Sequence, residues 1–129
     1  MSTLKVDNLL NAAGNESPIS VPGAAKAWLN FDGTGTITIR DSFNVTSITD
    51  AGAGEYTINL TNAMADTNYV ILATTGIQTN RFRGVFERND FTRTTSQFRV
   101  TNAGHSASSS GINSGETDSE RVSVAVFGN

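Results

Sequence analysis

Val45-Thr46-Ser47-Ile48-Thr49-Asp50-Ala51-Gly52-Ala53-Gly54-Glu55-Tyr56-Thr57-Ile58-Asn59-Leu60 reads as a β-hairpin. Residues 45–49 and 55–61 flank a turn over residues 50–54 built from Asp, Ala and Gly, and Tyr56, Ile58 and Leu60 stand two apart, which places them on one face of a strand. The same period of two continues toward the N-terminus. Residues 36–40 alternate, residues 43–48 carry on with a bulge expected near Asp41-Ser42, and Asp32-Gly33-Thr34-Gly35 supplies a turn. Before it, Ala25, Ala27, Leu29 and Phe31 share one face, with Lys26, Trp28 and Asn30 on the other.

Toward the C-terminus, residues 62–68 read as a connection crossing between sheets. Residues 69–74 are apolar on both faces, which predicts a central strand covered on each side. Residues 81–86 and 97–101 form two further predicted strands joined by polar residues 87–96. Residues 103–119, almost wholly Gly, Ser, Asn and acidic, are expected to form a long mobile loop. A last strand covers residues 121–127, with Val122, Val124 and Val126 on one face and Phe127 opposite. Nowhere do apolar residues recur at helical spacing over three turns, and no solenoid repeat is visible, so the expected fold is an all-β antiparallel sandwich over residues 24–129.

Residues 1–23 read differently. Leu4, Val6, Leu9, Leu10, Ile19 and Val21 are scattered among polar residues and two prolines, too short and broken a run to bury itself. Leu4 and Val6 alternate with Lys5 and Asp7, so a short extended neck that meets copies of itself about a symmetry axis is expected, with Pro18, Pro22 and Gly23 as the hinge into the sandwich.

Composition narrows the function. Thr, Ser, Asn and Gly make up 55 of the 129 residues and Leu, Ile, Val and Phe only 30, a mixture that suits strands and turns. The net charge of −3, without a block of like charge, argues against nucleic acid and against membrane insertion. Cysteine is absent, so no disulfide framework holds a surface that otherwise resembles that of a protein exposed outside cells. The opening residues lack the apolar run of a signal peptide, which leads to the expectation of a protein made in a host cytoplasm and carried out on a virus particle.

Catalytic chemistry finds little support. The single histidine, His105, rules out a Cys–His pair in a chain without cysteine, leaves a Ser–His–acid set weakly supported, and makes a zinc site within one subunit unexpected. The acid-rich spots, Asp50 with Glu55 and residues 116–120, do not match an EF-hand, and Asp32-Gly33-Thr34-Gly35 is not followed by the Gly-Lys of a phosphate loop. No enzyme, cofactor or metal is expected. The strongest anomaly is Arg81, Arg83, Arg88, Arg93 and Arg99, five of the seven arginines, interleaved with Phe82, Phe86, Phe91 and Phe98. One reading is a surface that grips anionic sugars or phosphates through Arg81, Arg83, Arg88 and Arg93, joined by His105 and Asn113. The favoured reading is two ordinary strands with phenylalanine inward and arginine outward, the arginines pairing with Glu87, Asp90 and acids of neighbouring subunits. Trp28, on the polar parity of its strand, joins Leu4, Val6, Leu9 and Leu10 as a candidate oligomer contact.

Leu4-Lys5-Val6-Asp7-Asn8 followed by Asn11-Ala12-Ala13-Gly14 resembles the neck motif ahead of fibre-tip modules of tailed bacteriophages. Gly23-Ala24-Ala25-Lys26-Ala27-Trp28-Leu29-Asn30-Phe31 resembles the first strand of such modules. The similarity continues through Ser42-Phe43-Asn44-Val45, Ser47-Ile48-Thr49-Asp50, Gly54-Glu55-Tyr56-Thr57-Ile58-Asn59-Leu60 and Ala63-Met64-Ala65-Asp66-Thr67-Asn68-Tyr69 to Val122-Ser123-Val124-Ala125-Val126-Phe127, while residues 76–119 carry none of it. The resemblance implies a homotrimeric β-sandwich head on a trimeric stalk, displayed on a virion beside other virion proteins and contacting a host-surface glycan or protein. A structural connector, capsid fibre or decoration protein without receptor binding is the alternative.

Overall fold

The computed structural model describes residues 24–76, 81–108 and 111–128, with the side chains of Arg81 and of residues 106–114 left out of the description. The predicted neck, including Leu4, Val6, Leu9 and Leu10, lies outside the described residues.

Nine strands are present among the described residues: β1 (Ala27–Asp32), β2 (Thr38–Phe43), β3 (Val45–Gly52), β4 (Glu55–Leu60), β5 (Val70–Thr75), β6 (Arg81–Glu87), β7 (Gln97–Ser108), β8 (Gly111–Glu116) and β9 (Val122–Phe127). They form two antiparallel sheets. One runs β2-β1-β9-β5; the other runs β3-β4-β7-β6, with β8 also pairing β7 beyond the end of β4. The inward face of β1, β4 and β9 is the apolar one that period-two reading assigned. Ala27, Leu29 and Phe31 of β1 and Val122, Val124 and Val126 of β9 meet Tyr56, Ile58 and Leu60 of β4 and Phe98 and Val100 of β7 in one buried core. Phe31 and Tyr56 join the two sheets edge to face, with ring centres 4.9 Å apart.

The 45–60 hairpin is present as β3 and β4, in register from Val45 beside Leu60 to Gly52 beside Glu55. Gly54 turns the chain at φ +70°, and the turn is latched from elsewhere. Its N–H donates to the Asp118 carboxylate (2.7 Å), and its carbonyl accepts from the Asn102 N–H (2.8 Å). The Tyr56 hydroxyl donates to the same Asp118 carboxylate (3.2 Å), so one acid ties the turn, the core tyrosine and the chain leading into β9. Between β2 and β3 the chain crosses from one sheet to the other at Asn44, whose φ of +58° is tolerable for asparagine. Its side chain holds the crossing: Nδ2 donates to the carbonyls of Lys26 (3.0 Å) and Asn62 (3.1 Å), and Oδ1 accepts from the Asn62 N–H (2.7 Å). Residues 62–68 cross between sheets as expected, anchored by the Met64 N–H on Thr95 O (2.8 Å).

Three expectations need correction. Residues 103–108 and 111–116 are strand rather than loop: β7 runs on to Ser108 and pairs with β8, because the backbone from Thr101 onward is taken up by β6 on one side and β8 on the other and so needs no apolar side chains to stay extended. Asn113 therefore sits in a strand, opposite Ser106. Residues 69–74 are not a central strand covered on both faces; β5 is the edge of its sheet, with Val70 and Leu72 exposed on the outer face. The bulge expected near Asp41-Ser42 is present, at the adjacent Arg40, since Asn30 pairs with Asp41 and Phe31 with Ile39. The parity of β6 is the reverse of the favoured reading: Phe82 and Phe86 point outward, while Val85, on the parity of Arg83, packs against the core.

Candidate functional site

The outer face of the β3-β4-β7-β6 sheet carries two kinds of surface. The first is a charged network. β4 and β6 lie on opposite sides of β7, so Arg88, just past β6, must reach across β7 to meet Glu55 of β4 (2.9 Å) and Glu116 of β8, while its Nε and Nη2 also hold Asp90 (2.7 and 2.6 Å). Arg99 approaches Glu55 (3.7 Å), donates to the Thr57 hydroxyl (2.9 Å) and lies over the Phe91 ring at 4.6 Å. Hydrogen bonds from Arg88, followed by its charge, hold the Asp90 carboxyl below the usual carboxylate range, and the same bonds push Arg88 further up. Arg93 is also engaged. It pairs with Glu87, donates to the carbonyl of Tyr69 (2.6 Å) and stacks over the Tyr69 ring at 5.0 Å, pinning the link between β6 and β7 to the crossing before β5. Arg83 donates to the Asp118 carbonyl (2.9 Å). Pairing of arginines with Glu87 and Asp90 is thus present within one chain, and Arg88 and Arg93 act as struts of the sheet.

The second surface is aromatic. Phe82 is 81% exposed and Phe86 60%. Register places Phe82 beside the exposed His105, Gly84 beside Ala103, and Phe86 beside Thr101, all on the outer face. A shallow trough lies here, lined by Phe82, Arg83, Gly84, Phe86, Ala103, Gly104, His105 and Gly115. Glycine at 84 follows from its neighbour. A Cβ there would stand 2.8 Å from Cζ of Phe86, so that ring leans back over Gly84 and covers backbone a side chain would otherwise shield. Period-two reading missed these aromatics because it sent phenylalanine inward by default. The usable signal was Val85, the one aliphatic residue of the strand, on the opposite parity.

The other sheet's outer face is apolar in a different way. Phe43, Trp28, Ala125 and Leu72 fall side by side in one row across all four strands, and Phe127 with Val70 lies in the next. Phe43, Val70 and Leu72 are more than half exposed and Trp28 is 38% exposed. The small side chains of Ser123 and Ala125 leave a depression between Trp28 and Leu72. The neighbouring row turns polar, with Asn30 donating to the Ser123 hydroxyl (2.7 Å).

No group of three or more His, Asp or Glu able to hold a metal occurs among the described residues, and His105 stands apart from the acid network. No helix of the described residues is long and apolar enough to cross a membrane.

Burial pushes the Tyr56 hydroxyl well above the ordinary tyrosine range, with Asp118 adding to it, and burial raises Tyr69 as well. A raised folded-state value means stability present below the unfolded tyrosine pKa, about 10, and lost as pH rises through it. Urea unfolding between pH 8 and 11 should show stability falling above pH 10, with a shallower fall in Tyr56→Phe. Identical slopes in the two proteins would contradict this.

No protein-family model matches the chain, and the searches of curated proteins and of solved structures return no match.

Proposed function

We propose that this chain is a virion fibre protein, a tail-fibre tip that assembles with copies of itself, as a trimer, and attaches the particle to a host cell surface. The observation that carries the reading is a sandwich whose core is closed yet whose two outer faces both expose apolar side chains: a flat aliphatic and Trp28 band on one sheet and an aromatic trough on the other. Monomeric soluble domains rarely leave contiguous apolar patches uncovered unless something binds there. The resemblance of about the first 75 residues and the last eight to phage fibre tips supplies the setting, and binding rather than turnover is the proposed role.

In this reading the Phe43–Trp28–Ala125–Leu72 row faces neighbouring copies. Each large apolar side chain fully buried there contributes about 1.5–3 kcal/mol. Leu72→Asp is therefore expected to lower the mass in solution to that of one protomer while the melting temperature of the isolated fold changes little, since Leu72 is 58% exposed in the single chain. A variant of unchanged mass would remove this face from the interface.

Host attachment is tested by competition. Purified full chain, added to susceptible bacteria before the tailed phage whose particle carries it, should block adsorption. Unchanged adsorption at saturating protein would favour the structural connector.

A further inference from the structure

The outer face of β6 and β7 presents three flat rings in a confined space, two of them on a strand whose Val85 packs against the core. Phe82 and His105 sit side by side across the strand pair, Phe86 leans toward them over Gly84, and the floor between is Gly84 and Ala103. Exposing Phe82 to 81% forgoes the stabilisation that burying a phenylalanine supplies, and nothing in the sandwich requires it, because Val85 of the same strand already serves the core.

Charge decides what the rings receive. Among the described side chains, the cations nearest by sequence are committed: Arg83, whose residue also lines the trough, stands on the core-facing parity of Val85 and donates to the Asp118 carbonyl, Arg88 is surrounded by Asp90, Glu55 and Glu116, and Arg93 is paired with Glu87. Glu116 continues β8 directly past Gly115 at the trough, and the chain carries a net charge of −3. An anionic sugar or a nucleic acid would meet acid there without a counter-charge from Arg88 or Arg93, whereas a neutral ring with an apolar face meets aromatic faces and pays no such penalty. A protein partner would need on the order of 800 Å² of buried surface on this side, and the trough is far smaller, bounded by two phenyl rings and an imidazole.

We infer that the Phe82–Phe86–His105 trough is a binding site for a neutral saccharide, whose pyranose faces stack on the two phenyl rings while the His105 imidazole hydrogen-bonds a ring hydroxyl. This rests on the attachment reading above and names the chemistry of its ligand. Arginine at 88 and 93 serves the site by holding β6, β7 and β8 in place, without touching the sugar.

The test uses the full chain on an array of purified bacterial surface polysaccharides, neutral and acidic side by side, with the competition for phage adsorption run in parallel on the same proteins. The expected result is binding to neutral polysaccharides, weakened about tenfold or more in Phe82→Ala and in His105→Ala, with the melting temperature of Phe82→Ala unchanged. Binding confined to acidic polysaccharides, or binding that Phe82→Ala leaves intact, would overturn the inference. A silent array combined with adsorption that the wild-type chain still blocks and Phe82→Ala does not would also overturn it, pointing to a protein receptor while leaving host attachment standing. A silent array with no block of adsorption would overturn both.

Discussion

Gly54→Ala is expected to destabilise the sandwich by about 2–4 kcal/mol, the sum of a left-handed backbone imposed on a residue with a Cβ and of overpacking against atoms that cannot turn aside. At φ +70° an added Cβ would stand 2.5 Å from the Thr117 amide nitrogen and 2.6 Å from the Asn102 carbonyl oxygen, both backbone. Relief would require moving both the segment that links β8 to β9 and the β7 backbone at Asn102 away from the turn. That movement breaks the Gly54 N–H to Asp118 bond and the Asn102 N–H to Gly54 bond together, so β8 and the trough beside it should loosen before the core does. Gly115→Ala is the control: an added Cβ there meets nothing within 4 Å, and a change within about 0.5 kcal/mol is expected. Chemical denaturation of the three proteins checks both values, and equal stability of Gly54→Ala and wild type would contradict the latch.

Phe31→Ala should cost more, about 3–5 kcal/mol, the range for emptying a buried phenylalanine site. Phe31 is fully buried, and its ring is the edge-to-face partner of Tyr56, so its loss removes an aromatic contact between the two sheets. Tyr56 has little freedom to fill the space. Its hydroxyl is held by Asp118, and its ring lies so near Gly33 that a Cβ there would be 2.2 Å from the oxygen. Urea unfolding should show a lower midpoint with an unchanged slope; a loss below 1 kcal/mol would mean that the sheets are held together elsewhere.

Much of this architecture was legible in the residues, and the reason is burial. Where one strand face is covered, period two leaves little choice, so Leu29 and Phe31, Tyr56 and Ile58, and Val122 to Val126 all point where the alternation puts them. The reading failed where burial stops. Past Thr101, β7 and β8 extend from the core on backbone pairing, and small polar side chains, which signal a loop by composition, are compatible with strands that have no core to face. In β5, Val70 and Leu72 are apolar on a face this single chain leaves open, which reads in sequence like a strand covered on both sides. In β6, phenylalanine was assigned to the core because Phe82 and Phe86 share one parity and Arg81 and Arg83 the other, and the outward Phe82 and Phe86 are the residues on which the proposed site rests. The arginine cluster and its pairing with Glu87 and Asp90 were visible, but spacing does not reveal that Arg88 also meets Glu55 and Glu116 of the same chain. The misread segments and the candidate surfaces largely coincide, as expected when apolar side chains are kept exposed for binding rather than folding.

The most direct test of the central proposal, a sandwich whose open apolar row is completed by sister copies, is the mass of the full chain in dilute solution by light scattering. Three times the 13.6 kDa of one chain is the predicted result. A well-folded protein of 13.6 kDa that stays single as its concentration rises would contradict it.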